Sequence, residues 1–247
     1  MDRLIYIAMS GAKHTLEQQA VVANNLANAS TTGFKAELAA FRAVRTIGPG
    51  MPTRFFVVDT TISPDFTPGP LMETGRPLDI AVKGQGWIAV QGPDGREAYT
   101  RDGGLQMTAN GVLQTRSGLN VVGEGGTISI PPNNTITIGE DGTVSAVPTD
   151  TTPNSVAIVA QIKLVNPPEA NLERGADGLF RQKDGRPATV DPNVQVTAGA
   201  LEGSNVSAAQ MLVEMISHAR QFDTQLKLVT IADTNAQRWS QVLNLSI

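Results

Sequence analysis

The side chains able to do chemistry in this 247-residue chain are few and scattered. Its two histidines, His14 and His218, stand in stretches of helical periodicity, outside any HExxH pattern and away from a candidate nucleophile. Their expected role is a polar position on a helix face. The chain has no cysteine, which removes disulfides and thiolate metal sites. Asp79, Asp94, Glu97 and Asp102 are the carboxylates that a glycosidase-like hydrolase would draw on, but such a pair must converge in a cleft at a defined separation. Asp94 and Asp102 instead sit in Pro-Asp-Gly and Asp-Gly-Gly turns, where backbone conformation accounts for them. Val122–Gly126 is glycine-rich, yet no helical pattern follows it to aim amides at a phosphate. The expectation is a chain with no catalytic residues, no cofactor and no metal.

The informative cluster of polar residues is Ala23-Asn24-Asn25-Leu26-Ala27-Asn28-Ala29-Ser30-Thr31-Thr32-Gly33-Phe34-Lys35. Three Asn within five residues are costly in an isolated helix, because Asn side chains compete with the backbone for hydrogen bonds. They suit a helix end: Asn28 as a left-handed cap, a Ser-Thr-Thr turn, and Gly33 where φ can be positive. Asn24 and Asn25 are expected to hydrogen-bond across a helix bundle, and Phe34 to anchor the segment that follows.

The elements that position these residues follow from where helix breakers are missing. No proline precedes Pro49 or follows Pro192, and residues 204–247 also lack glycine. Both ends are free to be long helices. In the first, Ile5, Ala8, Ala12, Leu16, Gln19, Ala23 and Leu26 recur at spacings of three and four, with Asp2 as a plausible N-cap. In the last, Leu212, Met215, Ala219, Phe222, Leu226, Val229, Asp233, Ala236, Ser240 and Leu243 do the same behind an N-cap at Ser204 or Ser207. A narrow stripe on the first helix predicts full order only once neighbours cover it. Both ends are electrically neutral, so copies can pack without accumulating repulsion, and neither nucleic acid nor anionic lipid is the expected target. No apolar run approaches the roughly 20 residues needed to span a bilayer. The opening Met1–Met9 reads as helix rather than as a cleaved signal.

Between the ends, short β-type runs alternate with turns such as Pro93-Asp94-Gly95, Asn110-Gly111 and Asp141-Gly142 at intervals near ten residues, the texture of an antiparallel sandwich or barrel. The predicted fold is α+β. Residues 1–30 and 207–247 form a coiled-coil-like helical assembly domain, 76–191 a central antiparallel β domain, and 31–75 with 192–206 a connector that includes a small β element.

Three blocks carry a family resemblance. The Asn-Asn-Leu-Ala-Asn run followed by Thr31-Thr32-Gly33-Phe34-Lys35 is the first. The second is Gly69-Pro-Leu-Met-Glu-Thr-Gly-Arg-Pro-Leu-Asp-Ile-Ala-Val-Lys-Gly-Gln-Gly-Trp87 with Tyr99-Thr-Arg-Asp-Gly103; the third is Leu201-Glu-Gly-Ser-Asn-Val206. In this order they resemble the bacterial flagellar rod and hook proteins. Met1–Tyr6, Gln18–Val21, Asn28–Ser30 and Lys35–Leu38 resemble the proximal-rod branch more than the distal-rod or hook branches. Trp87 stands where the family more often has Phe, and is expected to fill the same core site.

The resemblance implies a non-enzymatic structural subunit, exported uncleaved by the flagellar type III apparatus and assembled in the periplasm. Its partners would be copies of itself and neighbouring rod subunits, with no membrane insertion. Its terminal helices would pair around a channel in a tube that transmits motor torque. The residues expected at assembly contacts are Ile5, Ala12, Leu16, Asn24, Asn25, Leu26, Asn28, Gly33, Phe34, Leu212, Met215, Ala219, Phe222, Leu226, Val229, Ala236 and Leu243. The competing readings are a distal rod or hook subunit and, in a different class, a β-domain surface-binding module with oligomerising helices. The latter would show an aromatic platform, and aromatics are 4% of the chain.

Overall fold

The computed structural model describes residues 2–45, 55–131, 134–148 and 156–244, and describes their side chains from residue 5 onward except at 43, 45, 55–62 and 242–244. The chain divides into two units: Met1–Ala29, Ala36–Asp65 and Val206–Ile247 in the first, Ser30–Lys35 and Phe66–Asn205 in the second.

The first unit holds two long helices, α1 (Asp2–Ala27) and α2 (Ala208–Asn244), which pack on each other. Ala8, Ala12, Thr15, Val22 and Asn25 are the buried side of α1. The approach is close at Gly11, where a Cβ would come 3.0 Å from the Gln225 side chain. Thr15 tolerates burial because its hydroxyl donates to the Gly11 carbonyl at 2.9 Å. The covered side of α2 runs through Met211, Met215, His218, Phe222, Gln225, Val229 and Ala232, alternating four and three. This stripe shares Met215, Phe222 and Val229 with the seam expected from the sequence; Leu212 and Leu226 lie beside it, 49% and 46% exposed, and Leu16 on α1 is also exposed while Thr15 is buried. α2 carries apolar residues on several faces, so two stripes that share Met215, Phe222 and Val229 and differ by one residue at the alternate positions were readable, and packing against α1 covers one of them.

The unit also contains β1 (Glu37–Arg45) and β2 (Phe55–Pro64), antiparallel with an irregularity between Ala40 and Phe41. The sequence reading placed these residues in a connector with a small β element, without bounds for its strands. The alanine-rich β1 carries little strand propensity of its own, and its pairing comes from β2 and from α1.

In the second unit the strands are, in chain order, β3 (Leu71–Glu73), β4 (Ile80–Lys83), β5 (Trp87–Gln91), β6 (Glu97–Thr100), β7 (Leu105–Met107), β8 (Leu113–Thr115), β9 (Val122–Gly123), β10 (Gly126–Thr127), β11 (Asn134–Ile138), β12 (Thr143–Pro148), β13 (Ala157–Gln161), β14 (Leu164–Val165), β15 (Leu172–Arg174), β16 (Phe180–Gln182), β17 (Gln195–Ala198) and β18 (Ala200–Glu202). The largest sheet has the order β14-β5-β6-β16-β15; β11-β12-β13 form a second sheet, and β17-β4, β18-β3, β7-β8 and β10-β9 are two-stranded ribbons. The paired strands are antiparallel.

Their aliphatic core includes Ile80, Ile88, Val90, Leu105, Leu113, Val121, Ile128 and Val144. A second cluster gathers Trp87, Tyr99 and Phe180, with Phe66 packed against it. Trp87 fills this core, its ring centroid 4.6 Å from that of Phe180. Residues 66–75 and 192–205 belong to this unit.

Candidate assembly elements and a buried charge cluster

The three sequence blocks that are far apart along the chain meet in the second unit at one carboxylate. Glu202, the last residue of β18, receives the Lys35 ammonium on Oε1 at 2.7 Å and the Arg101 guanidinium on Oε2 at 2.8 Å. The Gly69 N–H also donates to Oε1, at 3.0 Å. All three charged side chains are buried, at 0% exposure for Lys35, 1% for Glu202 and 3% for Arg101. Lys35 also donates to the Thr67 carbonyl and Arg101 to that of Gly84. The guanidinium lies over the Trp87 ring, 5.3 Å from its centroid, a favourable placement for a cation out of water.

The backbone around the cluster is equally constrained. Gly33 has φ 68° and donates its N–H to the Glu202 carbonyl at 2.8 Å. A Cβ there would stand 2.3 Å from the Arg101 backbone. Phe34 is buried under the Arg174 guanidinium, 4.5 Å from the ring centroid. Thr32 donates to Asp102 Oδ1 at 2.8 Å. Lys35, Arg101 and Glu202 stand inside the three family blocks, but nothing in the sequence assigns them a role. Their only signal was a charge set among glycines and apolar residues.

The expected assembly residues fall into different environments. Gly33 and Phe34 belong to the second unit and serve the cluster just described. Ile5, Leu26, Met215, Ala219, Phe222 and Val229 are partly covered within the first unit, and Ala12 and Asn25 are buried there. Leu16, Asn24, Leu212, Leu226 and Ala236 are exposed. The Leu243 side chain lies outside the described residues. Within its own unit, Asn25 hydrogen-bonds the backbone of Glu37. Asn28 turns back on its own helix, its side chain donating to the Asn24 carbonyl at 2.9 Å. On α2, Leu212, Val213, Ile216, Leu226, Leu228, Ile231 and Trp239 leave large apolar side chains exposed.

The carboxylates considered for hydrolysis are each engaged separately. Asp79 is bridged by Arg116 and Arg76, Glu97 by Lys163, and Asp94 by Arg96. Tyr99 donates to Glu97 and accepts from the Ala188 N–H, and burial pushes its phenol well above the usual range. The hydrogen bond from Arg181 holds the Asp177 carboxyl below its ordinary value. Among the described residues no group of three or more His, Cys, Asp or Glu side chains could hold a metal ion. No helix among them is long and apolar enough to cross a membrane.

Comparison with known proteins matches this arrangement along the chain. Residues 5–35 match the family described as "Flagella basal body rod protein", residues 81–146 the "Flagellar hook protein FlgE/F/G D1 domain", and residues 197–242 the "Flagellar basal body rod FlgEFG protein C-terminal". The flagellar basal-body rod protein FlgF of Salmonella typhimurium is 45% identical and that of Escherichia coli K12 46%, each with all of both chains covered. FlgG of Buchnera aphidicola subsp. Schizaphis graminum is 33% identical, over 96% of this chain and 98% of its own. With its two terminal helices, its β unit and its full length thus accounted for, the chain belongs to the flagellar basal-body rod protein family, on the FlgF side of it.

Proposed function

We propose that the chain is a structural subunit of the proximal rod of the bacterial flagellum, joining copies of itself and neighbouring rod subunits through its terminal helices. The tube so formed would transmit motor torque across the periplasm and enclose the export channel. In this reading the subunit is exported uncleaved by the flagellar type III apparatus and performs no chemical step.

The observation that carries the assembly mode is the apolar surface left on α2 after α1 has packed against it. Val213 and Ile216 are more than half exposed, as are Ile231 and Trp239. Burying such side chains contributes roughly 1.5–3 kcal/mol each when they are fully covered. Exposed Leu16, Leu212 and Leu226 are therefore assigned to contacts between subunits, and Met215, Phe222 and Val229 to the pairing of α1 with α2. A cleft of about 350 Å³ lined by Ala20, Val21, Ala39 and Phe41 offers a further apolar seat on the first unit.

Quantitative mass spectrometry of purified hook–basal bodies tests the reading. A handful of copies per particle, fewer than the distal rod subunit, is expected. Copies in the tens would move the chain to the distal rod or hook, and absence from the particle would overturn the rod assignment.

A further inference from the structure

The chain passes between its two units four times, after residues 29, 35, 65 and 205. On the second unit's side these ends are stitched together. Gly33 and Lys35 bond Glu202, Thr67 accepts from Lys35 at 2.8 Å, and Asn205 Nδ2 donates to the Thr67 carbonyl at 3.2 Å. The Asn205 N–H reaches the Phe34 carbonyl at 3.4 Å. The last β element before the fourth passage is a weak one: β18 pairs with β3 over only three residues, and Glu202 opposite Leu71 is its final rung. Tension on the segment leading to α2 would peel so short a ribbon one rung at a time. Beyond the Asn205 bonds and the Gly203 N–H, which donates to the Pro70 carbonyl at 2.8 Å, the first side chain of the ribbon that such tension meets is Glu202, tied to Lys35 and Arg101.

Stability alone does not account for three buried charges. Desolvation costs several kcal/mol per ion, and well-packed apolar residues of similar volume commonly serve a core as well or better. Charged hydrogen bonds add fixed direction and register, which apolar packing does not supply. We propose that Glu202 is a load clamp: one buried carboxylate that makes the chain passages of the second unit bear force together. The meaning of that load rests on the rod reading above; the clamp itself is testable without it.

The chain is free of cysteine, so handles can be placed at will. The protein carrying Ala29→Cys and Val206→Cys is pulled in an optical trap, which loads the second unit through its first and fourth passages. The triple variant Lys35→Met, Arg101→Met, Glu202→Leu is compared with wild type and with Val144→Ala, a core control remote from the cluster in sequence. At matched equilibrium stability, the triple variant is expected to unfold about tenfold faster or more under a given force, because forced unfolding follows the unfolding rate. The same variant pulled from Glu124→Cys and Arg186→Cys should behave like the control. Equal unfolding rates from the 29/206 handles would overturn the clamp, as would an equal loss from both handle pairs. If the triple variant does not fold, Glu202→Gln, which keeps the shape and removes the charge, is compared with wild type and Val144→Ala from both handle pairs and read by the same criteria. Absence of the chain from hook–basal bodies would overturn the rod reading while leaving the clamp result standing.

Discussion

Asn25 holds Glu37 by both backbone groups: its amide nitrogen donates to the Glu37 carbonyl at 2.8 Å, and its amide oxygen accepts the Glu37 N–H at 2.8 Å. A side-chain amide has the donor and acceptor of a peptide group, so α1 supplies the first residue of β1 with a substitute strand rung. Asn25 is only 3% exposed, so water cannot easily replace either bond. Asn25→Asp puts an acceptor opposite the Glu37 carbonyl and is expected to cost about 1–3 kcal/mol. Hydrogen exchange is the direct probe: the Glu37 amide should exchange faster in the variant, and unchanged protection would show that the pair contributes little.

Gly103 sits where a Cβ would fall 1.7 Å from the Ile80 carbonyl oxygen, and Gly69 where it would fall 2.0 Å from that of Gly203. In both cases the obstacle is backbone, which cannot swing aside. Gly103→Ala and Gly69→Ala should each destabilise the second unit by about 1–3 kcal/mol or more. Gly125→Ala meets nothing within 4 Å and has no positive φ, so it serves as the control. Urea unfolding of the three variants orders them, and a Gly103→Ala midpoint equal to that of Gly125→Ala would contradict the close approach.

Leu226 and Phe222 separate the two uses of α2. Phe222 lies in the partly covered stripe, whereas Leu226 is 46% exposed beside it. Leu226→Asp should leave the monomer's helical content intact yet block incorporation into the rod. Phe222→Asp should lose helical signal already in the monomer, because it puts a charge at the α1 contact. Circular dichroism together with recovery in basal bodies distinguishes them; normal incorporation of Leu226→Asp would remove its face from the assembly surface.

Asp177 meets Arg181 at 2.6 Å, and this hydrogen bond depresses its carboxyl. A depressed acid stabilises the fold fully above its unfolded pKa, and that contribution is lost as pH falls through the folded value, below about pH 4. Both side chains are partly exposed, so the effect is less than about 1 kcal/mol. Asp177→Asn should lower the melting temperature slightly at pH 7 and leave it close to wild type at pH 2. A deficit that persists at pH 2 would assign the loss to packing instead.

The long helices were legible because proline and glycine are missing from the ends, and most strands of the second unit because turn residues punctuate them. The β1–β2 pair was legible only as a small β element somewhere in the connector: Glu37–Arg45 is rich in alanine and has weak strand propensity, and its rungs come from residues 10 to 27 positions away and from Asn25. Which stripe of α2 faces α1 was not legible either. A stripe through Leu212 and Leu226 satisfies the same spacing as one through Met211 and Gln225. Gly11 opposite Gln225 on the partner helix belongs to the frame the fold adopts.

The sequence by itself determined the helix–β–helix order, the lack of cysteine and the family blocks, because these depend on local propensity and residue identity. The tertiary structure decided that Lys35, Arg101 and Glu202 share one carboxylate. Lys35 and Glu202 are 167 positions apart, and no local periodicity couples charges at such separation. Only a fold that buries all three side chains makes their pairing obligatory, since an unpaired charge in that interior would cost more than the chain's marginal stability can sustain.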